Sequence, residues 1–95
     1  MTKKEESSTE LNKNICNFIK MKYFDPFKID GVKASQNKYA KACDLSSSTI
    51  SKIINQNGYD IPLSTIHVIT KFQKTNLDEF FTDFLIQFPQ HRADL

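Results

Sequence analysis

Apolar side chains recur along this chain in five stretches with helical spacing, each fenced by residues that start or stop a helix. Leu11, Ile15, Phe18 and Ile19 give the first stretch a single apolar stripe. Ser7-Ser8-Thr9-Glu10 ahead of it has the form of a capping box, and Asp25-Pro26 stops it. Phe27 to Ala34 alternates only loosely, which predicts an extended connector turning at Asp30-Gly31. Ser35 is placed to cap a second helix over roughly 36–43, and Ser46 a third over roughly 47–55. A loop containing Gly58 follows, and Pro62 opens a fourth helix whose inner stripe reads as Leu63, Ile66, Ile69 and Phe72 or Gln73. Asn76-Leu77-Asp78-Glu79 is a second capping box, and the helix behind it runs through Phe80, Phe81, Phe84, Leu85 and Phe88 until Pro89. The pattern predicts one all-α domain over residues 9–88, a flexible N-terminal tail at 1–8 and a C-terminal tail at 89–95.

Residues 35–55 are the most informative part of that pattern. Two short helices joined by so few residues must cross steeply, and the crossing needs a small side chain; Ala40 stands there. The turn needs one left-handed residue, and Asp44 occupies the position, a residue type that tolerates this conformation better than most. Leu45 is expected beneath the turn, and Ile50 and Ile53 form the buried seam of the third helix. Ser47, Ser48, Ser51 and Lys52 then fall on its outer side.

These spacings resemble the helix-turn-helix of the phage repressor and Cro family, also called the XRE family. Thr65-Ile66-His67-Val68-Ile69 and Leu77-Asp78-Glu79-Phe80-Phe81 are similar to the family's fourth helix and the start of its fifth. The resemblance covers roughly residues 35–82, with the first helix added by analogy. It implies a five-helix, lambda-repressor-like domain in which helices 2 and 3 form the motif and helix 3 enters the major groove of double-stranded DNA. It also implies a sequence-specific transcriptional regulator. In this resemblance Gln36 matches a DNA-backbone contact, and Ser47, Ser48 and Lys52 match positions used on base edges. Ser46 at the helix start, Ser51 on the outer face, and Thr49, Lys38, Lys41, Asn55 and Asn57 as phosphate contacts complete the candidate DNA-binding set. The chain departs from the family in three places: Asp44 replaces the usual Gly, the connector before Ser35 is longer, and the loop after helix 3 has about one more residue.

The charge pattern suits a phosphate-facing surface, and a solvated lysine face nearly as well. The net charge of +2 conceals eight lysines against three aspartates over residues 13–52, and one arginine against four acids over residues 75–95. Lysines that displace condensed counterions supply most non-specific DNA affinity. The outer side chains of helix 3 are short, so direct base readout is expected to be sparse, with DNA shape and water carrying part of the specificity.

The remaining chemistry narrows the alternatives. With 39% hydrophobic and 25% charged residues the chain is expected to fold, and two glycines are too few for an all-β domain. Cys16 and Cys43 fall on inner helical positions, which reads as free thiols in a reducing compartment. Without a long apolar run or cleavable signal the expected location is the cytoplasm, with no membrane partner. His67 and His91 are isolated, and no phosphate loop, metal cluster or nucleophile–base pair is visible. The expectation is no enzyme, no cofactor and no small-molecule substrate. Phe80, Phe81, Phe84 and Phe88 exceed what a small core needs, which predicts a homodimer through helix 5. The alternative function is a protein-interaction module, such as an antitoxin-like partner.

Overall fold

The computed structural model describes residues 3–55, 58–93 and 95. Its elements are α1 (Lys3–Tyr23), β1 (Lys28–Ile29), β2 (Val32–Lys33), α2 (Gln36–Ala42), α3 (Ser47–Asn55), α4 (Leu63–Phe72), α5 (Leu77–Gln87) and a 3-10 turn at Pro89–His91. The protein is mostly helical, and no helix among the described residues is long and apolar enough to cross a membrane.

Three helices start where side chains satisfy their first-turn amides. Ser35 Oγ accepts from Lys38 N at 3.2 Å, Ser46 Oγ from Thr49 N at 3.1 Å, and Asn76 Oδ1 from Glu79 N at 2.8 Å. Each such cap is worth about 1 kcal/mol. The return half of the α5 capping box is diverted, because the Glu79 carboxylate accepts from Thr75 Oγ1 at 2.7 Å. The capping box at Ser7 does not form: α1 begins at Lys3, so Ser7 lies inside the helix and the helix occupies most of the stretch expected as a tail. Lys3, Lys4, Glu5 and Glu6 are good helix formers, and their propensity outweighs the stop-and-start signal of one serine.

The ends of α2 and α4 are built alike. Leu45 N donates to Ala40 O at 2.8 Å and Asp44 N to Lys41 O at 3.1 Å, with Asp44 at φ 61. Thr75 N and Lys74 N make the equivalent bonds to Thr70 O and Lys71 O, with Lys74 at φ 60. Both are Schellman ends, which close the last carbonyls through one left-handed residue. Glycine takes that conformation without a Cβ penalty, although its unfolded chain is more flexible. Asp44→Gly is therefore expected to raise stability by about 0.5–1 kcal/mol, read as a higher urea midpoint at unchanged slope. A lower midpoint would show that the Asp44 side chain holds the turn.

The connector between α1 and α2 adds a small sheet to the expected all-α fold. β1 and β2 pair antiparallel, Lys28 with Lys33 and Ile29 with Val32. Asp30 at φ 50 and Gly31 at φ 81 supply the two positive dihedrals of a type I′ hairpin turn.

The core has two aromatic centres joined by α1. Phe18 meets Phe80, Phe84 and Phe88 edge-on, at centroid distances of 5.3, 5.6 and 6.4 Å. Tyr39, fully buried, is ringed by Phe24, Phe27 and Phe72, and its hydroxyl accepts from Gln73 Nε2 at 2.6 Å. Phe80 and Phe84 are thus interior residues of one chain, not half of a dimer patch; Phe81 and Phe88 are half-buried against the same core. The stripe of α4 also differs from expectation. Leu63 is 59% exposed and Thr70 is buried in its place. Thr70 donates its hydroxyl to His67 O within its own helix at 2.9 Å, so its burial leaves no polar group unpaired. At the end of the chain His91 is buried, stacked on Phe84 and bonded to Asn14 at 2.8 Å, so residues 89–91 dock on the core where a tail was expected.

Cys16 and Cys43 are buried free thiols. Burial raises Cys16 to about 11 and Tyr23 to about 12, and raises Cys43 and Tyr39 in the same direction; Asp83 and Glu79 add to the rise at Tyr23. All four bind their protons more tightly folded than unfolded. The stability they contribute is full below about pH 9, the ordinary thiol value, and is lost as pH rises toward 11 and beyond. Urea midpoints are expected to hold up to about pH 9 and fall above it, whereas a fall beginning below pH 8 would assign the loss to other groups. The Tyr23 hydroxyl is buried without a hydrogen-bond partner. Tyr23→Phe is expected to leave stability unchanged or raise it by up to about 1 kcal/mol in thermal melts.

Candidate nucleic-acid interface

The seam of α3 decides which of its side chains face outward. Ile50 and Ile53 are buried, and α3 packs against both α1 and α2 through that side. Ser48, Ser51, Lys52 and Asn55 then stand at three-and-four spacing on the far side, around a recess of about 330 Å³. Neither α2 nor α3 carries an acid in its first turn, and Asp44 is the sole acid between residues 36 and 55.

A chain of hydrogen bonds ties the start of α2 to this face. Gln36 Nε2 donates to Ser51 Oγ at 2.7 Å and approaches Ser47 O at 3.2 Å and Ser47 Oγ at 3.3 Å. Ser47 Oγ donates in turn to Asn37 Oδ1 at 2.7 Å. Gln36, expected at the DNA backbone, therefore engages both of its amide hydrogens inside the motif. Its amide orientation is set by Ser47 O, which can only accept.

The cap forms a second group. Ser46 Oγ lies 3.0 Å from Ser48 Oγ and 2.8 Å from Thr49 Oγ1 while accepting from Thr49 N. Four hydroxyls of the expected reading set (Ser47, Ser48, Thr49 and Ser51) thus already have protein partners. Lys52 and Asn55 are exposed, with the Lys52 ammonium 5.8 Å from the centre of the Tyr59 ring. That cation–π contact restrains a side chain that would otherwise sample many rotamers. Lys38 is exposed on α2, and Asn57 lies outside the described residues.

The structure thus brings Gln36, Ser47, Ser48, Ser51, Lys52 and Asn55 onto one surface, with Ser46 and Thr49 at the N-terminus of α3. Asn37 and Tyr59 belong to the same surface and were not singled out from the sequence. Asn37 carried a readable signal, an amide beside Gln36 in the first turn of α2; Tyr59 sits beyond a loop, and its approach to Lys52 had none. Chemically the face offers hydroxyls, amides and one ammonium, groups that donate and accept hydrogen bonds. In comparisons with known proteins the chain matches no family model, no curated protein and no solved structure.

Proposed function

We propose that this protein is a sequence-specific double-stranded DNA-binding regulator of the phage repressor and Cro type, with the outer face of α3 in the major groove. One observation carries the reading: an outward Ser48–Ser51–Lys52–Asn55 stripe, half-buried at Ser51 and exposed at the other three, free of acids, on a short helix braced by α2 across a Schellman turn. A nine-residue helix is about 13 Å long, which suits a groove about 12 Å wide. The lysines of the hairpin, α2 and α3 add the positive field that phosphates require.

A two-fold dimer belongs to the same reading, carried by an edge of α5 that keeps Phe81 of the expected patch and replaces its buried members. Leu77, Phe81 and Leu85 follow one line along the helix, each half-buried, and Ile86 beside them is 70% exposed. Pairing through that edge would set two α3 helices on a near-palindrome.

Fluorescence anisotropy on labelled duplexes over a salt series tests the function. Binding whose logarithm falls with log salt at a slope of several units is the expected result. Absence of binding to every duplex at low salt, with the protein folded, would overturn it in favour of a protein partner.

A further inference from the structure

We propose that Gln36 sets the hydrogen-bond polarity of the reading face, weighting it toward donors at Ser51, Lys52 and Asn37 so that it selects guanine in the bound half-site. The inference rests on the DNA-binding reading and goes beyond it by naming the base.

The argument starts from one carbonyl. A serine inside a helix commonly donates its hydroxyl hydrogen back to the carbonyl four residues earlier, which for Ser51 is Ser47 O. Gln36 Nε2 sits 3.2 Å from that oxygen and 2.7 Å from Ser51 Oγ. It fills the carbonyl that Ser51 would use and makes Ser51 an acceptor on its inner side. With that carbonyl taken, the hydroxyl hydrogen of Ser51 is free to turn toward the recess it shares with Ser48, Lys52 and Asn55. The same polarity runs outward through Ser47. That hydroxyl lies 3.3 Å from Gln36 Nε2 and donates to Asn37 Oδ1 at 2.7 Å, which leaves the exposed Asn37 amide nitrogen with both hydrogens to give. Lys52 donates whatever its surroundings. Ser46 and Ser48 share a bond that runs in either direction, so Ser48 adapts to its neighbour.

Among the outward groups Ser51 O–H, Lys52 N–H and Asn37 N–H donate, while the Asn55 amide at the far end of the recess offers a donor and an acceptor. In the major groove guanine is the base that presents two adjacent acceptors, O6 and N7. Adenine sets a donor beside its N7, thymine a methyl beside its O4, and cytosine a donor alone. A donor row placed by Gln36 therefore favours guanine beneath Ser51 and Lys52. Gln36 acts here as a positioning residue, through Ser51 and Ser47, and need not touch the base.

Selection from a randomised duplex library, followed by anisotropy on the selected duplex, tests this. The wild-type protein is expected to enrich a guanine at one or more positions of each half-site. Replacing that guanine by 7-deazaguanine, which lacks only N7, is expected to weaken binding about tenfold. Gln36→Met, similar in size but unable to donate, is expected to reduce the preference for guanine over adenine at that position toward unity. The salt slope should stay unchanged in this variant, because it reports phosphate contacts. Enrichment of cytosine or adenine there, indifference to 7-deazaguanine, or full guanine preference in Gln36→Met would each overturn the inference while leaving DNA binding intact. No binding to any library member would overturn both. The 7-deazaguanine measurement uses the unaltered protein, so it does not depend on how the variant folds.

Discussion

Phe84→Ala is expected to remove about 3–5 kcal/mol of stability, the range for truncating a fully buried aromatic ring. Phe84 has no exposed surface, and its ring is held by Phe18 at 5.6 Å, Phe88 at 5.2 Å and His91 at 5.7 Å. Those partners come from α1, the end of α5 and the 3-10 turn, so no single element can move in to fill the space. Domains of this size have about 5–15 kcal/mol in total, and the loss therefore takes a large share of it. At roughly 4–8 °C per kcal/mol the melting temperature should fall by at least about 12 °C. Phe84→Leu keeps most of the volume and should lose less than half as much. A change below about 1 kcal/mol for the alanine variant would mean that the aromatic cluster closes up around the gap.

Lys52→Glu is expected to weaken duplex binding at least a hundredfold at physiological salt while leaving the fold intact. The substitution removes a donor from the centre of the α3 face and places a carboxylate against the phosphates or base acceptors. Its structural cost is small, because Lys52 is exposed and meets the Tyr59 ring at 5.8 Å. Such a contact is worth about 0.5–1 kcal/mol at an exposed site. Lys52→Ala should lose about tenfold, separating the missing donor from the added repulsion. Lys71→Glu, an equal charge change at an exposed position in the last turn of α4, is the control and should have little effect. Equal losses for Lys52→Glu and Lys71→Glu would mean that binding follows net charge alone and not the α3 face.

Local chemistry was the part of this fold most legible in the sequence. Ser35, Ser46 and Asn76 cap helices because a short polar side chain reaches an amide three residues on, and that depends on nothing distant. Asp44 takes φ 61 because the turn needs one such residue and few types accept it. The Asp30-Gly31 pair was read as a turn but not as a hairpin, since strands of two residues leave almost no alternation to detect. What was not legible depends on partners far along the chain. Phe18 packs on Phe80, Phe84 and Phe88 but not on Phe81, and Asn14 bonds the buried His91, pairings that local spacing does not contain. Leu63 is exposed and Thr70 buried, a matter of where α4 lies against the core that periodicity does not contain. In the candidate site, outward positions on α3 followed from the Ile50–Ile53 seam. The direction of the hydrogen bonds among them came only with the position of Gln36.

The bond between Asn14 and His91 spans 77 residues, and the Phe18 cluster draws its other members from residues 80, 84 and 88. During synthesis α1 emerges first yet meets no aromatic partner on that side until the ribosome has released α5. The Phe18 side of α1 must stay without that cover over the interval, several seconds at ordinary elongation rates, although α3 is made in time to pack on the same helix. A nascent chain arrested before residue 80 therefore carries Phe18 without its aromatic partners, an apolar surface open to chaperones and proteases.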